Sequence, residues 1–285
     1  MIALSTGSLY TYGTERVFAL AAKVGFDAVE ILIDQRWDTR QPDYLSRLRD
    51  RYSLPIASVH APFLPGIPGW PDSGVASCQR AAALAEAVGA RTVVMHLPLS
   101  MSFVRLTWSH QALTLPVPIT PDAEHVRWLR HGLESFQKST PVTIAVEILP
   151  RRRLWFGGVQ SVWHNNTPDH WARLAHVALD TTHIGTWGFD LLAVYERLQP
   201  RVAHIHLSNY NGREKRPEHR LLTDGSLPLA GLLQRLARDR FGGVIVCELD
   251  PEPLGAENED VALANLRATL AFCRDNWRAG MNGRA

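Results

Sequence analysis

Residues 177–183 read VALDTTH: an apolar run that ends in a carboxylate, two hydroxyl residues and an imidazole. The apolar part is typical of a strand covered on both faces, whereas Asp180 and His183 carry groups that are costly to bury without partners. The stretch therefore predicts a buried strand whose end faces a polar site. The same pattern recurs along the chain, and that recurrence decides the fold.

Short apolar runs alternate with helical patterns about eight times. The predicted strands are Ile2–Ser5, Ala28–Ile33, Pro55–His60, Thr92–His96, Val142–Ile148, His176–Asp180, Val202–Leu207 and Val244–Leu249. Continuous runs rich in Val, Ile and Ala are typical of parallel strands between helices. Successive strand–helix units predict an α/β fold, a single (β/α)8 TIM barrel over residues 1–285, with an open doubly wound sheet as the alternative.

Helical patterns fill most of the intervals between the strands. The clearest are Glu15–Val24, Arg80–Val88, His125–Phe136, Leu191–Leu198, Leu229–Ala237 and Asp260–Cys273. Residues 120–122 and 167–169, both Thr-Pro-Asp, predict helix starts with threonine as the N-cap and proline at the first position. Gly25 and Gly89 predict helix ends. Residues 97–119 and 150–166 break the rhythm and predict long loops, which are functional on this side of a barrel.

The composition excludes several classes of protein. With 30 basic and 28 acidic residues the formal net charge is +2, which gives no overall basic footprint for nucleic acid. The three cysteines form no CxxC pair, which favours a reducing compartment. Neither a signal peptide nor an apolar run of 18 residues is found, so we expect a cytoplasmic protein without a membrane span.

Six consecutive predicted strands end in a histidine or a carboxylate. These residues are His60, His96, Glu147, Asp180, His183, His206 and Glu248. Closing the barrel brings the carboxyl ends of the strands together at the rim where barrel active sites lie. A divalent cation offsets the repulsion between converging carboxylates, and oxygen and nitrogen ligands without thiolates suit Mn, Mg, Co, Fe or Zn.

Two sets of residues can be separated within this group. Glu147, Asp180, His206 and Glu248 are the candidate metal ligands. For His60, His96 and His183, lining the pocket and ligating a metal both remain open. His204 precedes His206 by two residues on the same strand face, so we expect it to support the site from deeper in the barrel.

Taken together, Glu147, the DTTH of residues 180–183, the HLSN of residues 206–209 and Glu248 resemble the xylose-isomerase-like superfamily. Its members are metal-dependent TIM barrels that include sugar isomerases, epimerases and apurinic endonucleases. The resemblance covers nearly the whole chain and implies that Glu147, Asp180, His206 and Glu248 hold one divalent metal ion. It also admits a homo-oligomer, on which the sequence itself is silent.

The sugar branch of the superfamily implies a small sugar-like substrate, a polyol or keto-sugar, rather than nucleic acid. Glu147 and Glu248 would transfer a proton through an enediolate while also binding the metal. His183 would hold a substrate oxygen, and Arg213 or Arg220 would contact a distal hydroxyl or phosphate. A lyase or dehydratase would use the same groups, and a partner subunit without turnover would keep the barrel.

The other branch resembles endonuclease IV, a phosphodiesterase with three metals that acts on abasic DNA. That pattern implies an extra metal at His60 and His96, and a third at His183 and His219. The segment PEHRLLTDG, residues 217–225, has Pro217 where the pattern has an aspartate, which argues against a full trinuclear cluster.

The loop after the fifth strand adds further candidate binding groups. Arginines 151–153 are either a solvated run or a site for phosphate or carboxylate. Trp155, Trp163 and Trp187 lie in loops on the pocket side, where they either stack on a sugar or pack against other side chains.

Overall fold

Eight parallel strands close into a barrel, as predicted. The computed structural model describes residues 1–63, 65–108, 111–153 and 159–283. The barrel strands, labelled β1 to β8 in chain order, are Ile2–Ser5, Ala28–Leu32, Ile56–His60, Thr92–Met95, Thr143–Glu147, Val177–Asp180, Val202–Leu207 and Val244–Cys247. Each strand pairs in parallel with its neighbours in the chain, and β1 pairs with β8, which closes the sheet. The open doubly wound alternative is thereby excluded.

Helices surround the barrel. The α-helices are Thr14–Val24, Pro42–Tyr52, Gly74–Val88, Ala123–His131, Leu133–Ser139, Pro168–Trp171, Thr181–Trp187, Leu191–Leu198, Leu229–Arg238, Pro251–Leu254 and Glu259–Asn282. Short 3-10 helices occupy Thr6–Leu9, Trp37–Arg40 and Gln199–Arg201. Across the described residues, no helix is long and apolar enough to span a bilayer.

Local chemistry explains where helices begin and end. Thr167 caps its helix with Pro168 at the first position, as predicted, and Gly25 and Gly89 adopt left-handed conformations at helix ends. The predicted start at Thr120 is wrong, because the helix begins at Ala123 and the carboxylate of Asp122 is the cap.

The helix predicted over His125–Phe136 is in fact two helices that meet at Gly132. A β-carbon at Gly132 would collide with the Trp128 ring, so the bend and the ring occupy space that a side chain would need.

Small apolar side chains fill part of the barrel interior. Ala3, Ala28, Ala57, Val244 and Val246 form one interior cluster, separate from the large core between strands and helices. A second interior cluster contains Val94, Ala145 and Ala178. Such small residues leave space inside the barrel for the polar side chains near the rim.

Both predicted loops carry antiparallel hairpins. The loop after β4 holds strands Met101–Trp108 and Gln111–Pro118, and the loop after β5 holds Arg151–Arg153 and Val159–Ser161. An antiparallel bridge between Leu99 and Trp163 joins the bases of the two hairpins. The described parts of these two connections thus contact each other and follow neighbouring barrel strands.

Candidate metal centre

The stretch VALDTTH shows how the rim is built. Asp180 ends β6 and caps the following helix, since its Oδ1 accepts from the backbone N–H of His183 at 2.9 Å. The hydroxyl of Thr181 donates to the carbonyl of Ser208 at 2.6 Å, and that of Thr182 donates to the carbonyl of Asn209 at 3.1 Å. The small hydroxyl residues thus fasten the loop that follows β7.

The four predicted ligands converge at one point of the rim. Parallel pairing places Asp180 beside His206, and one potential ligand atom from each of Glu147, Asp180, His206 and Glu248 lies within 4.8 Å of the others. Nδ1 of His206 is 3.0 Å from Oε1 of Glu147 and 3.0 Å from Oε2 of Glu248. Oδ2 of Asp180 is 3.8 Å from the same nitrogen.

Ionisation differs among the three carboxyl groups. Burial opposes the ionisation of Glu147, but His96 and His206 outweigh it and hold its pKa well below the usual range. Burial likewise opposes ionisation of Glu248, where His206 lowers the pKa to about 2. Burial, reinforced by the charges of Glu147 and Glu248, raises the pKa of Asp180 to about 7. Asp180 is therefore the carboxyl group that most lacks a positive partner.

These residues fit a divalent cation. Oδ2 of Asp180 is buried and has no hydrogen-bond partner among the described residues. Within that part of the chain, histidine rings supply the ion pairs of Glu147, Asp180 and Glu248. Three carboxylates around one imidazole nitrogen form a hard donor set that matches Mn, Mg, Co, Fe or Zn. The cluster could hold a metal ion.

A second group lies on the other side of Glu147. Oε2 of Glu147 is 2.6 Å from Nε2 of His96 and 3.3 Å from Nε2 of His60. Nδ1 of His60 donates to the carbonyl of Ala61 at 2.7 Å, which turns Nε2 toward the carboxylate. Burial alone would lower the pKa of His60, yet the contact with Glu147 raises it to about 8. These three residues also offer ligand atoms within 4.8 Å of one another.

A third group contains Asp180, His183 and His219. Nδ1 of His183 donates to the carbonyl of Ile148 at 2.9 Å, so Nε2 is the nitrogen that keeps a lone pair. Burial lowers the pKa of His183 to about 3 and keeps the ring neutral. Pro217 supplies no carboxylate to this group. Burial lowers the pKa of His219, but the charges of Asp180 and Glu248 outweigh burial and raise it.

Glu30 is a buried acidic residue that we did not predict from the sequence. It lies in β2, where its Oε1 is 3.2 Å from Nε2 of His206 and its Oε2 is 3.1 Å from Nε2 of His204. The signal was a single acidic residue inside the apolar run AVEILI, residues 28–33. His204 was expected to support the site from below, and it lies there, in ring contact with His206.

A cavity of about 250 Å³ opens above the clusters. Its walls include Gly7, Tyr10, Leu32, Phe63, Arg152, Trp163 and Asp250, together with His60, His96, Glu147, His183, His219 and Glu248. Arg152 forms an ion pair with Glu218 at this mouth. The volume suits a small molecule with several polar groups.

Other predicted binding residues lie away from these walls. Arg220 forms an ion pair with Asp224 at 2.5 Å, and Arg213 is exposed. The indole N–H of Trp187 donates to the carbonyl of Leu149 at 3.0 Å, and its ring stacks on Phe189. Substrate contacts by these three residues stay predictions. Trp155 lies outside the described residues.

Comparison with known proteins points to one family. The model of the xylose isomerase-like TIM barrel family matches residues 18–272. An uncharacterized protein of Mycobacterium leprae is 28% identical over 299 aligned positions that cover 96% of each chain.

Solved structures of two further proteins share the fold. The 3-keto-D-glucoside 4-epimerase of E. coli has a TM-score of 0.65 at 17% identity, covering 96% of this chain and 98% of its own. The family 2 AP endonuclease of Brucella melitensis has a TM-score of 0.61 at 18% identity, with coverage of 88% and 93%.

Proposed function

The chain belongs to the xylose isomerase-like TIM barrel family, and from this premise we propose that it is an isomerase or epimerase of a sugar or keto-sugar that depends on one divalent metal. One observation carries the proposal. Glu147, the last residue of β5, and Glu248, which directly follows β8, both lie 3.0 Å from Nδ1 of His206 beneath the cavity. Two carboxylates that flank one small volume can exchange a proton with a carbon held between them.

Each residue has a defined task in this proposal. Glu147, Asp180, His206 and Glu248 would hold the cation. When bound, the cation polarises a carbonyl and lowers the energy of negative charge on its oxygen. One glutamate removes the proton beside that carbonyl and the other returns a proton to the carbon. His183, neutral and with a free Nε2, is placed to accept a hydrogen bond from a substrate hydroxyl.

The E. coli epimerase of the same fold supports a sugar as the class of substrate, since it is named for a keto-glucoside. Arg152 borders the cavity on the side of the β5 hairpin, and its guanidinium suits a hydroxyl or an anionic group far from the reacting carbon. A cytoplasmic location and a homo-oligomer stay predictions.

Isotope exchange tests the acid–base pair. The protein, loaded with Mn²⁺ in D₂O, is incubated with D-tagatose or D-fructose, and deuterium in the recovered sugar is measured. We expect Glu147→Gln and Glu248→Gln each to lower exchange by at least a hundredfold, because an amide cannot accept the proton. Glu134→Gln, which changes an exposed glutamate paired with Lys138, is the matched control.

Two results would count against the proposed chemistry. Exchange retained by either variant removes that glutamate from proton transfer. Exchange by the parent protein after complete removal of metal contradicts metal dependence.

A metal-dependent phosphodiesterase on abasic DNA is the second candidate. The observation that favours it is the pair of additional ligand groups, one at His60, His96 and Glu147 and the other at Asp180, His183 and His219. Elemental analysis separates the two candidates, since the isomerase requires one equivalent of metal per chain. Two or three equivalents, together with cleavage of an abasic duplex, would replace the first proposal by the second.

A further inference from the structure

Glu30 lies directly beneath the candidate metal centre. The side chain is fully buried inside the barrel, and Ser58 donates a hydrogen bond to its Oε2 at 2.7 Å. Its ion pairs within the described residues are with His204 and His206. A buried carboxylate needs positive charges or hydrogen-bond donors around it. The charge of Glu30 is therefore stabilised by protons on the imidazoles of His204 and His206.

The ring of His206 lies between two sets of acidic groups. Its Nδ1 faces Glu147 and Glu248, each at 3.0 Å, whereas its Nε2 faces Glu30 at 3.2 Å. Neither Nε2 of His206 nor Oε1 of Glu30 has a hydrogen bond to any described residue. Their separation of 3.2 Å places these two atoms directly against each other.

A histidine that binds a metal must present a lone pair to it. A neutral imidazole carries its single proton on the other nitrogen, and a carboxylate there fixes both the tautomer and the orientation of the ring. For His206 the ligand atom would be Nδ1, so the proton belongs on Nε2, beside Glu30.

We propose that Glu30 is a positioning residue of the metal centre, which holds the Nε2 proton of His206 and so keeps Nδ1 directed at the cation. The inference rests on the proposed role of His206 as a ligand. It adds a residue from β2, a strand that contributes no ligand to the predicted set.

Metal affinity tests the proposal without relying on turnover. Binding of Mn²⁺ to the full chain is measured by calorimetric titration for the parent protein and for Glu30→Gln. We expect the variant to bind 10- to 100-fold more weakly, because its amide can donate to Nε2 and favour the wrong tautomer. Asp27→Asn is the matched control, since Asp27 lies immediately before the same strand and accepts from the N–H of Ile2 at 2.8 Å.

A second variant and a second measurement keep the test decisive. Glu30→Asp retains the charge but withdraws it from the ring, so we expect a smaller loss of affinity. Long-range ¹H–¹⁵N NMR of the zinc-loaded parent protein should show the His206 proton on Nε2. Parental affinity in whichever Glu30 variant folds overturns the proposal, as does a proton on Nδ1. Failure of the parent protein to bind any divalent metal would instead overturn the proposed function.

Discussion

Asp180 performs two tasks with two oxygens. Oδ1 caps the helix that starts at Thr181, while Oδ2 has no hydrogen bond to any residue that the structure describes and faces the candidate metal centre. The helix cap fixes the carboxylate in place, so a cation would meet an oxygen that is already oriented. Because Asp180 both ends its strand and caps the next helix, its side chain would lose little conformational entropy on binding a cation.

His125 provides a prediction away from the metal centre. Burial lowers the pKa of this histidine to about 4, against 6.5 in an unfolded chain. Between these values the unfolded chain binds a proton that the folded protein excludes, so the free energy of unfolding falls as the pH falls. We expect this residue to remove about 2 kcal/mol of stability between pH 7 and pH 5.

Urea unfolding at the two pH values measures this effect. His125→Leu should lose that part of the pH dependence, whereas His131→Leu, which changes an exposed histidine of the same helix, should keep it. Equal pH dependence in the parent protein and His125→Leu would show that the pKa of this ring is the same in the folded and unfolded states.

At the scale of single residues, the sequence predicts the candidate metal ligands better than the residues that orient those ligands. Glu147, Asp180, His206 and Glu248 could be found because they end consecutive strands, and barrel closure brings strand ends together. Glu30 lies within its strand, and its partner His206 is 176 residues further along the chain. Such a contact depends on the register across the barrel interior, which strand ends alone do not reveal.

The helix Gly74–Val88 begins against the helix Ala123–His131. A β-carbon on Gly74 would collide with the ring of His125, so the two helices approach closely at this glycine. We expect Gly74→Ala to lower the free energy of unfolding by about 1–3 kcal/mol, as measured by urea titration, because the ring has to move within a packed core.

Two further variants show whether the cost comes from this contact. Gly231→Ala is the matched control, since a β-carbon there would meet only Leu192 Cδ1 at 3.6 Å, and we expect a gain of about 0.5–1 kcal/mol. In a His125→Ala background the cost of Gly74→Ala should largely disappear. An undiminished cost in that background would place the strain elsewhere.

Elements with strong local patterns are well predicted, and those set by tertiary contacts are not. The helix Leu191–Leu198 has its predicted bounds, since Asp190 caps a clear amphipathic run. The hairpin in residues 97–119 was predicted only as a loop, because its strands pair with each other outside the barrel and lack the buried apolar pattern.

On the scale of the whole molecule, the four predicted ligands lie in β5, β6 and β7 and directly after β8, and these strands are neighbours in the closed sheet. A bound cation would therefore cross-link half of the barrel. Because the unfolded chain lacks the site, binding stabilises the folded state, by about 2.7 kcal/mol when the free metal is at 100 times its Kd.

This stabilisation is measured by calorimetric unfolding with and without metal. We expect Mn²⁺ to raise Tm by about 4–5 °C, and a chelator to reverse the shift. Asp180→Asn should shrink the shift while the metal-free protein still unfolds cooperatively. An unchanged Tm with Mn, Mg, Co and Zn would contradict the metal centre.

The two linked hairpins make the rim of the barrel asymmetric, since they extend one side of it. The hairpins follow β4 and β5. On the other side of the cavity lie Gly7 and Tyr10, which follow β1, and Leu32, which ends β2, and no hairpin follows either of these two strands in the described part of the chain. A molecule is thus expected to approach across Tyr10, toward a wall formed by Trp163 and His96. If the proposed function holds, entry from one side would present the same end of each substrate to Glu147 and Glu248, and the shape of the rim would select the carbon atom that reacts.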